Sequence, residues 1–207
     1  MSIKRVSIAS DFPLEGLLRE NGKKAGVVIC HPHPLYGGSM HNNVVDAIDR
    51  GFSAKEFATL RFNFRGVGSS GGIYDEGEGE IKDVIASSAF LKRQLNEDAF
   101  IVLAGYSFGA WVASRAASSM DSIAGLFLVA YPFAFYESFE LQQFDKSIYF
   151  VGGDHDDISP IDSLLKTYKE LPVIEKYLKI ISTDHFYGGK EKEIEEFIKE
   201  NANFLHR

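Results

Sequence analysis

The sequence predicts an α/β protein: a three-layer α/β/α sandwich on a mostly parallel sheet of eight strands. Three observations predict it. Apolar runs of strand length alternate with stretches of helical period along nearly the whole chain. The inner runs, such as "AGVVIC" and "IAGLFLVAY", are continuously apolar, as strands buried on both faces are. No repeat, low-complexity tract or linker interrupts the pattern, so residues 1–207 are expected to form a single domain.

The elements follow in order. "IKRVSIAS" and "FPLEGLLRE" read as an antiparallel opening ribbon, and residues 25–31 as the first buried strand. Val44, Val45, Ile48 and Phe52 repeat at helical spacing. Residues 57–64 form a strand. Ile81, Val84, Ile85, Leu91 and Leu95 mark an amphipathic helix, with the small Ser88 on the same face. Residues 99–105 are a strand and 107–119 a helix whose Ala110, Ala113, Ala116 and Ala117 allow close packing on a sheet. Strands at 123–131 and 147–153, a helix at 160–170 and a strand at 175–181 come next. Ile194, Phe197, Ile198 and Leu205 give a closing helix. Only about 15 residues separate the sixth strand from the strand ending at Gly153, which leaves little room for a lid.

Composition narrows the function. The chain has 207 residues, 45% of them apolar and 25% charged, as expected of a soluble globular protein. Its net charge of −7, with no Lys/Arg block, argues against a nucleic-acid partner. The one cysteine, Cys30, lies in an apolar run and reads as a core residue. The first residues have no apolar signal core and no run approaches membrane-spanning length, so a cytoplasmic location without membrane attachment is expected.

In sheets of this kind ligands bind beyond the carboxyl ends of the strands, so the chemistry belongs in the loops that follow them. The loop "FNFRGVGSSGG" at 62–72 matches both G-x-G-x-x-G and G-x-S-x-G. A dinucleotide turn needs a helix to begin within the glycines. Here the acidic "GGIYDEGEGE" follows, and its carboxylates would repel a pyrophosphate. No nicotinamide or flavin cofactor is expected. A nucleophile elbow needs strand, tight turn and helix in immediate succession. Ser70 lacks the helix, whereas Ser107 in "LAGYSFGAWVAS" has all three. A serine that merely caps a helix in a glycine-bounded turn is the plainer alternative.

A nucleophilic serine needs a base, and the base an orienting acid, in the chain order Ser, Asp or Glu, His. Downstream of Ser107 stand His155, His185 and His206. His206 is penultimate, where chains fray, and His155 sits in the acidic loop. His185, just after the last strand in "STDHFYGG", has the position of the base. Asp154, Asp156 and Asp157 compete for the acid. A loop recurrent in enzymes of this architecture reads G-x-x-D-x-x-x-P, and Gly153, Asp156 and Pro160 fit it, which favours Asp156 and leaves Asp154 and Asp157 as alternatives. One oxyanion donor is the N–H of Phe108. The second comes from "HPHPLYGGSM", where Pro32 and Pro34 have no N–H, leaving His33, Leu35 or Tyr36, with His33 favoured by position. The histidines of that loop have no cysteine or acidic companion at zinc spacing, so no metal is expected. Tyr36, Leu35 and Phe186 are candidates for substrate contact. The aromatics of "YPFAFYESF" (131–139) wall a pocket, fill the core or meet a second copy.

"VVICHPHPLYGGSMHNNVV", "RFNFRGVGSSGG", "GYSFGA", "GGDHDDISP" and "DHFYGG" resemble, in this order, the small capless α/β-hydrolases of the HPHP–GG type, predicted serine hydrolases similar to dienelactone hydrolases and small carboxylesterases. The resemblance spans nearly the whole chain. It implies an α/β-hydrolase sheet without a substantial cap, a Ser107–Asp156–His185 triad and an oxyanion hole near His33 and Phe108. Dienelactone hydrolases carry a cysteine in the elbow and this chain a serine, so their substrate is not carried over. The expectation is a serine hydrolase of small carboxylic esters, thioesters or lactones, without a cofactor, acting as a monomer or homodimer. The alternative is a non-catalytic binding or regulatory module on the same scaffold. In similar hydrolases the R-G-x-G-x-S loop lies at the rim of the site, its glycines allowing a tight turn beside "HPHPLYGG" and Arg65 tying it to a neighbouring carboxylate or carbonyl.

Overall fold

The computed structural model describes residues 2–173 and 175–201. Eight strands, β1 (Ile3–Ile8), β2 (Leu14–Arg19), β3 (Ala25–Cys30), β4 (Ala58–Phe62), β5 (Phe100–Tyr106), β6 (Ile123–Val129), β7 (Ser147–Gly153) and β8 (Lys176–Ile181), form one sheet. Its order is β1-β2-β4-β3-β5-β6-β7-β8. The β1–β2 ribbon is antiparallel and joins β4 antiparallel, while all pairings from β4 through β8 are parallel. Six helices accompany it: α1 (Asn43–Ala54), α2 (Glu78–Lys92), α3 (Phe108–Ala117), α4 (Phe139–Gln143), α5 (Ile161–Glu170) and α6 (Glu191–Asn201). The short α4 and a single 3-10 turn at Pro34–Tyr36 are additions to the elements expected from sequence. Leu205 and His206 lie outside the described residues.

The continuous apolar runs serve two cores at once, because successive strand residues face opposite sides. Val28 and Cys30 of β3 join Leu103, Ile148 and Phe150 under α2, α3, α4 and α5. Val27 and Ile29 join Val102, Tyr149 and Val151 under α1 and α6. All four alanines of α3 are buried on the first face. In α2 the periodicity is less simple than expected. Val84 and Leu91 are buried, but Ile85 is exposed, and Leu95 packs on the core only after the helix has ended. The inward face of α2 carries Glu80, Asp83, Ser87 and Ser88 instead.

The two carboxylates have local work. Glu80 accepts from the N–H groups of Gly77 (2.8 Å) and Asp75 (3.0 Å), capping its own helix. Asp83 receives the Arg65 guanidinium in a two-pronged pair, Nη2 at 2.8 Å and Nε at 3.1 Å, and the Arg65 backbone N–H at 3.0 Å. The 62–72 loop is thus tied to α2 through Arg65, as the sequence suggested. Gly66, Gly68 and Gly72 all take positive φ, which lets it turn tightly. Among the described residues no helix is long and apolar enough to cross a membrane.

Arg65 and Asp83 are 4% and 1% exposed, so removing one partner strands a buried charge. Arg65→Met is expected to lower unfolding free energy by about 3 kcal/mol, and Arg65→Lys to recover only part, since an ammonium cannot reproduce the fork. Urea denaturation at neutral pH measures both. Wild-type stability in Arg65→Met would show that the pair is dispensable.

Candidate active site

β5 ends at Tyr106 and α3 begins at Phe108, which leaves Ser107 alone at the turn. Its backbone lies at φ 54°, ψ −123°, a conformation that costs a residue with a Cβ about 1–3 kcal/mol. The surroundings impose it. The Ser107 N–H donates to the Val129 carbonyl at 2.9 Å, and the Ser107 carbonyl accepts from Ala110 (2.8 Å) and Trp111 (3.2 Å). A Cβ at Gly105 would fall on the backbone of Gly109, and one at Gly109 on the Cys30 and His31 carbonyls. Two glycines therefore let the first turn of α3 press against the ends of β5 and β3.

His185 and Asp156 arrive from the loops after β8 and β7. His185 Nε2 is 2.9 Å from Ser107 Oγ, and Nδ1 is 2.8 and 2.9 Å from the two Asp156 carboxylate oxygens. The acceptor carboxylate at Nδ1 places the ring proton there, so Nε2 is free to accept from the serine hydroxyl. Asp156 is held by the N–H groups of Ile158 (2.9 Å) and Ser159 (2.8 Å). The competing acids are engaged elsewhere or lie outside the cavity. Asp154 accepts from Thr183 N–H and pairs with the exposed His155, while Asp157 is exposed and does not line the cavity; Asp184, next to the histidine, is exposed and accepts from Phe186 N–H.

The loop after β3 explains which backbone donors remain. Tyr36 and Gly38 N–H both donate to the His33 carbonyl at 3.1 Å, and Leu35 N–H donates to His33 Nδ1 at 3.2 Å. Of the three donors the sequence left open, only His33 N–H has no acceptor among the described residues. Phe108 N–H, at the first position of α3, also has none. Both residues line the same cavity as Ser107. His31 and His33 have their ring nitrogens occupied by protein partners. His31 Nδ1 meets the Pro32 carbonyl (2.6 Å) and Nε2 accepts from Phe64 N–H (3.0 Å); His33 Nε2 meets the Tyr74 hydroxyl at 3.2 Å.

The cavity measures about 660 Å³ and sits beyond the carboxyl ends of β3, β5, β6 and β7. Tyr36 and Phe186 line it, and Leu35, from the same 3-10 turn, is not among its lining residues. The 131–139 aromatics divide between roles: Tyr131 is core, while Phe135 and Tyr136 line the cavity. Ser70 stands outside it. Its Oγ donates to the Asn63 carbonyl (2.7 Å) and accepts from Glu15 N–H (2.9 Å), so the second G-x-S-x-G is a loop staple.

A family model described as "Alpha/beta hydrolase domain" matches residues 23–203. The chain belongs to the α/β-hydrolase family. Within it, the chain is similar to an alpha-beta serine hydrolase homologue from Coxiella burnetii, at 32% identity over 97% of this chain and 98% of that one, with a TM-score of 0.87. A serine hydrolase without lid from Xanthomonas campestris matches at 26% identity over 97% of this chain and 93% of that one, TM-score 0.88. An uncharacterized protein of Rickettsia prowazekii (strain Madrid E) is 29% identical over 86% of this chain and 81% of its own length. Like the lidless Xanthomonas protein, this α/β-hydrolase has no large cap over its sheet among the described residues.

Sequence reasoning missed two supports of the α/β-hydrolase site. The Tyr106 hydroxyl donates to the His185 carbonyl at 2.7 Å, fixing the loop that carries the histidine. Glu15 reaches from β2 to accept from Asn63 Nδ2 (2.9 Å) and Ser69 N–H (3.0 Å), while Asn63 Oδ1 takes Met40 N–H (2.8 Å). Neither contact has a local signal, since each joins residues far apart in the chain.

Burial pushes the His31 imidazole down to about 4 from its ordinary 6.5. An unfolded histidine takes up a proton near 6.5 and folded His31 resists it. Its contribution is therefore complete above that pH and lost as pH falls toward 4, by about 3 kcal/mol. Unfolding titrations between pH 7 and 4 should show this slope, and His31→Asn should flatten it. An unchanged slope in the variant would assign the acid sensitivity elsewhere.

Proposed function

We propose that this protein hydrolyses small carboxylic esters through an acyl-enzyme on Ser107. The observation that carries the reading is the unbroken hydrogen-bond chain from Ser107 Oγ through both nitrogens of His185 to Asp156. His185 Nε2 takes the hydroxyl proton as Ser107 Oγ attacks the acyl carbon. Asp156 keeps the other ring proton at Nδ1 and stabilises the imidazolium that forms. The developing oxyanion lies against the N–H groups of Phe108 and His33, with the N-terminus of α3 adding favourable potential. His185 then passes its proton to the leaving oxygen, and the alcohol departs. Water, deprotonated by the same nitrogen, attacks the acyl-enzyme, and the carboxylate leaves as Ser107 recovers its proton. Thioesters and lactones would use the same groups, because the attacked atom is an acyl carbon in each.

A fluorophosphonate probe should label the wild type and Ser70→Ala, and fail to label Ser107→Ala. Asp156→Asn should lower kcat for 4-nitrophenyl acetate by about 10⁴ through the wrong imidazole tautomer. Full labelling of Ser107→Ala would overturn the assignment. Absence of labelling together with absence of turnover of any ester, thioester or lactone would favour a binding module.

A further inference from the structure

The aromatic rings around the cavity fall into two groups. Tyr106 and Phe186 stand beside His185, with ring centroids at 5.5 and 6.0 Å. The other group surrounds Phe108: His33 at 4.9 Å, Tyr74 at 5.8 Å and Tyr136 at 6.2 Å. Tyr136 is held rigidly, stacked on Trp111 at 4.0 Å and 21°. Arg115 in turn lies 5.1 Å from the Trp111 ring and bonds Glu78 and Glu140.

Reaction chemistry assigns the two halves of an ester to these groups. The leaving oxygen receives its proton from His185 Nε2, so the alcohol lies on the His185–Phe186 side. The carbonyl oxygen occupies the hole at the N–H groups of His33 and Phe108, so the acyl chain, the remaining substituent, takes the wall left to it, away from His185, where the Phe108 and Tyr136 rings stand. On that side the wall is made of flat rings in tilted and edge contact, Tyr136 among them stacked on Trp111, and Ile158 is the one aliphatic side chain, prolines aside, among the residues lining the cavity.

Charge points the same way. None of the lining residues is Lys, Arg, Asp or Glu. Arg65 is committed to Asp83 and Arg115 to Glu78 and Glu140, so neither is free to meet an anionic substrate. A carboxylate on the acyl chain would lose its water here and gain no counter-ion.

We propose, resting on the esterase reading above, that the acyl side of this cavity selects uncharged esters whose acyl group carries a flat aromatic ring. Tyr136 is the residue that determines this preference. It presents a pinned ring face to the acyl group at no further ordering cost, and ring–ring contact of this kind favours an aromatic partner over an alkyl one of similar size.

The test fixes 4-nitrophenol as leaving group and divides each kcat/KM by the ester's own hydroxide-catalysed rate. Wild type should prefer the phenylacetate over the cyclohexylacetate by about five-fold. The hydrogen glutarate should be slower than the methyl glutarate by about ten-fold or more. Tyr136→Leu should bring the first ratio to about one. Tyr136→Phe, which keeps the ring, should retain the preference and serves as the readout if the leucine variant fails to fold. Turnover of the acetate with no aromatic preference, or with equal rates on the two glutarates, would overturn this proposal and leave the esterase reading intact. A preference that survives in folded Tyr136→Leu, or is lost in folded Tyr136→Phe, would overturn the role of Tyr136. Failure to turn over any of the esters, the acetate included, would overturn the esterase reading and this proposal with it.

Discussion

Ser107 holds a backbone conformation that its own side chain disfavours, φ 54° and ψ −123°, and the rest of the site is arranged around that point. β3 and β5 are parallel neighbours with Cys30 opposite Gly105, so the chain leaves β3 directly beside the elbow. The absence of a side chain at Gly109 lets α3 approach the Cys30 and His31 carbonyls. The same close approach brings the His33 N–H to the cavity that Ser107 enters. A strand, a helix and a loop thus bring the Ser107 hydroxyl into one cavity with His33 and Phe108, whose N–H groups have no acceptor among the described residues. Preorganisation of that kind is what stabilisation of a developing oxyanion requires.

Two histidines have opposite parts in the arrangement. His31 is buried, neutral and bonded at both nitrogens; it locks the loop after β3 to Phe64 at the end of β4. Asn63 and Glu15 extend that lock to Met40 and to the glycine loop at 66–72. His185 instead spans the serine and the aspartate, with its loop fixed by the Tyr106 hydroxyl. The first histidine resists protonation so that the loop keeps its shape. The second, in the proposed mechanism, must gain and lose a proton in each half-reaction.

Much of this was legible in the sequence, for a physical reason. Strands buried on both faces read as near-continuous apolar runs, and β3, β5, β6 and, after Ser147, β7 do. A strand, a glycine-flanked serine and an immediate helix leave few alternatives to an elbow, and chain order then pointed to Asp156 and His185. The 3-10 turn after Pro34 was not legible, because it depends on hydrogen bonds to His33, which no periodicity reveals. Ile85 has the right spacing for a core residue, yet α2 turns a polar face inward because Arg65 and the helix N-terminus need its carboxylates. Tyr106 and Glu15 act through partners 79 and 48 residues away, separations that only the folded sheet closes.

The central claim is that Ser107 becomes acylated during turnover. The most direct measurement mixes the protein with excess 4-nitrophenyl ester, quenches in acid within the first turnovers and maps the adduct by peptide mass spectrometry. The account predicts a mass increase equal to the acyl group on the peptide containing Ser107, appearing with a burst of 4-nitrophenol and absent from Ser107→Ala. Steady turnover with the acyl group on a different residue, or turnover unchanged in Ser107→Ala, would contradict it.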